Sequence, residues 1–152
     1  MPGYQPKVYR KQGGDELVVA SGGAITVEAG GAINFPSGSA NDTVLTLDIA
    51  DGSAEAVYYL LSPHAGTISK IWTVTDAAVA TADITITAAI GATGVTNGVV
   101  TIATAASAAG DVDSATPTAA NVLTAGQAVN FTVTGGGAGG TPRVHLAMVV
   151  TR

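Results

Sequence analysis

Two kinds of hydrophobic spacing divide the chain. Between Gly13 and Gly38 the pattern has a period of eight. Aligned as Gly13–Ala20, Ser21–Glu28 and Ala29–Pro36, the units hold large apolar residues in the columns Leu17/Ile25/Ile33 and Val19/Val27/Phe35. Glycine fills the column Gly14/Gly22/Gly30/Gly38. A fixed period with one turn position and two apolar positions is the signature of a repeat architecture. Within a unit the apolar residues alternate, which predicts a short strand with one buried face. A two-residue hairpin at Gly30-Gly31 would place Ile33 on the same face as Glu28 and split the apolar set between two faces, which a side-chain period of two forbids. A three-residue loop, Ala29–Gly31, pairs Val27 with Ile33 and restores the parity. Parallel stacking of each residue on the one eight positions later does so too. A bulged meander and a rung-like winding are therefore both open. Leu17, Val19, Ile25, Val27, Ile33 and Phe35 are too few to form a core by themselves. They are expected to meet their equivalents in other chains, as the seam of a threefold stalk over residues 13–41; packing on the following domain is the alternative.

From residue 42 onward the spacing is that of strands. Leu45/Leu47/Ile49 alternate with Val44, Thr46 and Asp48, and Asp51-Gly52 marks a turn. Ala56–Leu61 is an apolar run with Tyr58-Tyr59 inside it. Thr67–Thr75 places Ile68, Lys70, Trp72 and Val74 on one face. Ala82–Ile90 sends Ile84/Ile86/Ala88/Ile90 inward and Asp83/Thr85/Thr87 outward. Thr96-Asn97-Gly98 is a hairpin signal, and Thr116-Pro117-Thr118 suits the first turn of a short helical segment. Ala125-Gly126-Gln127 turns into Val129/Phe131/Val133. Gly135–Gly140 is a hairpin tip, and Val144/Leu146/Met148/Val150 face inward along the last strand. Short strands with regularly spaced turns predict an all-β protein. The expected organisation is a short Gly-rich β-repeat stalk followed by a β-sandwich of jelly-roll type at 42–152.

Residues 1–12 stand apart. Pro2, Gly3 and Pro6 disfavour regular structure, while Tyr4, Val8 and Tyr9 supply apolar anchors. With Lys7, Arg10 and Lys11 the first eleven residues carry +3 and the remainder −8. An acidic body argues against nucleic acid as a partner; the arm is expected to order on an acidic protein surface, the alternative being a solvated tail. No stretch approaches the roughly 20 apolar residues of a membrane-spanning helix, and no secretory leader is read at the N-terminus. The absence of cysteine excludes disulfides and thiolate metal sites.

The sequence offers little for catalysis, and the protein is expected not to be an enzyme. His64 and His145 have no acidic partner at metal-ligand or triad spacing, and no Gly-x-Ser-x-Gly elbow occurs. Asp111 and Asp113 are two hard ligands without a third. The glycines at 135–140 lack the lysine and the strand–loop–helix setting of a phosphate loop. No metal and no cofactor is expected. Trp72, Tyr58 and Tyr59 read as core, with a sugar-stacking platform for host-surface glycan as the alternative.

The segment Tyr9–Gly23, with its Gly-Gly-Ala-Ile-x-Val-Glu-Ala-Gly-Gly continuation, resembles the N-terminal region of small tailed-bacteriophage virion proteins. The stretches Ala109–Asn121 and Ala125–Gln127 resemble the β-sandwich part of phage head-decoration and head-fibre proteins. The resemblance implies a homotrimeric accessory protein on the outside of the virion, bound to the major capsid protein. Tyr4, Lys7, Val8, Tyr9, Arg10 and Lys11 would then form the capsid-binding arm. No catalytic residue is implied.

Overall fold

The structure, a computed structural model, describes residues 8–10, 17–29, 31, 42–137 and 140–152. Tyr4, Lys7, Lys11, Ile33 and Phe35 lie outside the described residues, as do Ala138 and Gly139 of the glycine-rich tip. The chain divides into two compact units, Met1–Phe35 and Pro36–Arg152.

In the first unit, β1 (Val8–Arg10) pairs antiparallel with β2 (Leu17–Val19), Val8 opposite Val19. Part of the arm is thus a strand, joined to the first repeat unit. The second repeat unit departs from expectation. Ile25 and Val27 lie in a segment with no assigned strand, because alternation alone does not make a strand without a neighbour to complete the ladder. The period of eight instead appears in the turns. Gly23 N donates to Ala20 O at 2.8 Å, and eight residues later Gly31 N donates to Glu28 O at 2.9 Å.

The second unit is built from nine strands: β3 (Thr43–Ile49), β4 (Ala56–Leu61), β5 (Gly66–Thr75), β6 (Ile84–Ile90), β7 (Thr93–Ile102), β8 (Val112–Ala115), β9 (Val122–Leu123), β10 (Ala128–Gly135) and β11 (Val144–Thr151). They form two antiparallel sheets. One has the order β3-β11-β5-β8, with β9 also on β5; the other has the order β4-β10-β6-β7. Alternation puts one side of each strand into a common core. Ile49, Ile68, Ile71, Leu146 and Met148 come from the first sheet, and Ile84, Ile86, Val100, Val129 and Phe131 from the second, each 1% exposed or less. At about 1.5–3 kcal/mol for each large apolar side chain removed from water, this layer is the main stabilising term. The architecture is sandwich-like and all-β, with no helix among the described residues.

Three local expectations are corrected. In β5, Ile71, Thr73 and Thr75 face inward with Ile68. The register against β11 shifts by one residue there, since Val150 opposes Ile68 while Val149 opposes Lys70. A β-bulge of this kind flips every later side chain to the other face, so Trp72 and Val74 point outward. The hairpin between β6 and β7 turns at Gly91-Ala92, with Ile90 opposite Thr93. Asn97-Gly98 instead lies within β7, where Asn97 takes a left-handed φ of 57° and the register shifts between Thr87 and Ala89. Thr116-Pro117-Thr118 is extended, not helical: Thr118 N donates to Thr96 O, and Thr96 N donates to Ala119 O. Those bonds to β7 satisfy groups that a helix would have had to satisfy internally.

Candidate ligand-binding groove

The outer face of the β3-β11-β5-β8 sheet follows directly from its register. One row across the strands reads Asp48, His145, Val74, Val112; the next reads Thr46, Ala147, Trp72, Ser114. Along β11, Val144, Leu146 and Met148 are buried, which leaves His145 and Ala147 on the outside. The bulge in β5 brings Trp72 to the same side, 44% exposed. Because alanine fills little space between Trp72 and Thr46, the face is hollow at Ala147. The hollow is a groove of about 540 Å³ bounded by Thr46, Asp48, Trp72, Val74, Val112 and His145.

Two sets of polar groups lie at this face, one lining the groove and one beside Trp72. His145 Nδ1 lies 2.5 Å from Asp48 Oδ1, with the two side chains 48% and 66% exposed. In a neutral imidazole this bond places the proton on Nδ1 and leaves Nε2 as an acceptor. At the other end, Lys70 Nζ sits 4.8 Å from the centroid of the Trp72 ring and donates to Thr116 Oγ1 at 2.8 Å. The ammonium over the indole is a cation–π contact.

The remaining candidates are scattered. Tyr58 is half-buried against the core, whereas Tyr59 is 69% exposed. Both stand on β4, in the sheet opposite Trp72, so the three aromatics do not form one platform. His64 is exposed in the loop after β4, and its carbonyl accepts from Ser62 Oγ. Asp113 opposes Thr73 at the inner side of β8. Its Oδ2 is buried without a hydrogen-bond partner. Burial pushes its carboxyl pKa up, and the neighbouring charge of Asp111 adds to the rise. Two other carboxyls are pulled below the usual range: Asp51 by the hydroxyl and then the backbone of Ser53, and Asp83 by the backbone and then the hydroxyl of Thr104. The Asp51 bonds brace a local turn, and the Asp83 bonds tie the start of β6 to the segment after β7. No group of three or more potential metal-ligating side chains occurs among the described residues. No described helix is long and apolar enough to cross a membrane.

In the first unit, Val19, Ile25 and Val27 are 37%, 55% and 43% exposed. Val8, Tyr9, Arg10 and Leu17 are placed by their strands alone. The Asp48–His145 pair is the feature that local reading missed. Its members are 97 residues apart, so no motif spacing reveals them. The available signal was two polar outward positions in strands otherwise alternating Val, Leu and Thr. Comparisons with known protein families, curated proteins and solved structures return no match.

Proposed function

We propose that the protein is a structural component of a tailed-phage virion, a homotrimeric decoration or head-fibre protein held on the outer surface of the capsid. Residues 1–12 are the capsid-binding arm, 13–41 an octapeptide-repeat stalk that joins three chains, and 42–152 the displayed head. The observation that carries the reading is the exposure of Val19, Ile25 and Val27. Apolar positions that recur at a fixed period yet stay open to water in a single chain are the sign of a core completed by neighbouring copies. Turns repeating at Ala20–Gly23 and Glu28–Gly31 favour a rung-like winding over a meander.

The head adds support. Pairing β3 with β11, β4 with β10, β5 with β8 and β9, and β6 with β7 supports a jelly-roll reading of the sandwich, whose strands nest first to last, a fold frequent among capsid domains. Attachment works through avidity: many weak arms on a symmetric shell hold where one would not.

Removing residues 1–12 should abolish co-sedimentation with capsids while the trimer persists. A truncated protein that still decorates capsids defeats the arm assignment. Ile25→Asp should dissociate the trimer, since a carboxylate buried without a partner costs about 3–5 kcal/mol. Survival of the trimer would place the interface elsewhere.

A further inference from the structure

We propose that the groove on the β3-β11-β5-β8 face is a binding site for a neutral saccharide. The proposal stands on the head domain alone and is independent of the virion reading. Its floor is apolar, made by Ala147, Val74 and one side of the region around Trp72. Its polar rim is the Asp48–His145 pair.

The charges decide what the site accepts. Asp48 is engaged by His145, and Lys70 by the Trp72 ring and the Thr116 hydroxyl. An anionic ligand would meet repulsion from Asp48, the one acidic side chain lining the groove, and a cationic one would compete with His145 for that carboxylate. A neutral polyhydroxylated ring does neither. Asp48 Oδ2 remains as an acceptor, as does Nε2 of a neutral His145 imidazole, and a sugar supplies hydroxyl donors on its rim. The same ring presents an apolar C–H face to the floor and to the indole edge. A hydrophobic floor with a few placed polar groups is the usual composition of a small-ligand site, and the volume of about 540 Å³ falls in the usual range of about 300–1,000 Å³. Tyr59, on the opposite sheet, takes no part.

Trp72 is the chain's one tryptophan, so its emission reports this groove without interference. The experiment titrates the full-length protein with neutral oligomers of glucose, galactose, mannose and N-acetylglucosamine, alongside sulfated and sialylated counterparts. At least one neutral oligomer is expected to give a saturable emission change with a Kd of about 1 mM or tighter. Asp48→Ala removes an acceptor and frees His145, and should weaken that binding about tenfold or more. Ala147→Leu fills the floor while sparing the polar pair, and should weaken it comparably. Tyr59→Ala should leave it unchanged. Thermal melting of each variant establishes that the sandwich is intact, and binding to the variants is read by calorimetry. A flat response across the neutral panel overturns the proposal, as does tighter binding of the charged saccharides. So does emission that changes with protein concentration alone, which would assign the face to a second copy of the chain.

Discussion

Replacing three glycines by alanine separates two physical demands that the sandwich makes on its backbone. Gly94, the second residue of β7, lies outside the left-handed region and has nothing within 4 Å of an added Cβ. Gly94→Ala should therefore stabilise by about 0.4–1 kcal/mol, through the unfolded chain's lost freedom. Gly126 also has open space, but its φ is +78°, where a side chain costs about 1–2 kcal/mol. Gly135 meets both constraints. Its φ is +87°, and a Cβ would sit 2.1 Å from Asp83 O. The backbone cannot easily yield, because Gly135 pairs with Ile84 and Gly136 N donates to that same oxygen at 3.1 Å. Overpacking adds about 1–3 kcal/mol to the conformational term, so Gly135→Ala should cost about 2–5 kcal/mol. That is a sizeable part of the about 5–15 kcal/mol that holds a domain of this size. Urea unfolding followed by circular dichroism measures each variant as a shift of midpoint at constant slope. Equal losses in Gly126→Ala and Gly135→Ala would refute the reasoning, since the close approach between the ends of β6 and β10 would then carry no cost.

Three further outcomes follow from single side chains. Phe131, fully buried on β10 between β4 and β6, should lose about 3–5 kcal/mol as Phe131→Ala, read in the same urea assay; a loss below about 1 kcal/mol would mean the sheets do not close on it. Asp113 has a folded pKa raised above its ordinary value of 3.8, so its cost is present at neutral pH and is relieved as pH falls through the folded value toward 3.8. Asp113→Asn should thus raise the melting temperature at pH 7 and have little effect near pH 3.5; the reverse order would contradict the assigned burial. Asp83 is depressed by Thr104, so its contribution is present above 3.8 and lost as pH falls through the lowered value. Asp83→Ala should lower the melting point at pH 7 and flatten the acid-unfolding limb, and an unchanged limb would contradict it.

Much of the sandwich is legible along the sequence because single-face burial writes itself as alternation. Ile84/Ile86/Ala88, Val129/Phe131/Val133 and Val144/Leu146/Met148/Val150 all face the core as their spacing requires. The failures share a cause. At Ser69-Lys70 one extra residue in β5 reverses the phase, and only the partner strand β11 defines it as extra. Asn97-Gly98 has the left-handed preference of a turn, and the chain uses that preference for a bulge instead. Thr116-Pro117-Thr118 is held extended by β7, a long-range bond that local propensity does not contain. The groove was hidden for the same reason. Trp72 reaches the outer face only through the bulge, and Asp48 meets His145 only because β3 lies beside β11. The octapeptide period is visible both as sequence and as recurring turns, and in the proposed stalk the residues it leaves exposed are those that neighbouring copies would cover.

The mass of the intact full-length protein in solution bears most directly on that last point. Native mass spectrometry should find three chains of 14.8 kDa, about 44 kDa in total, as the stable species. A single 14.8 kDa chain would contradict the shared seam, and with it the central claim that Val19, Ile25 and Val27 are open because two further copies close over them.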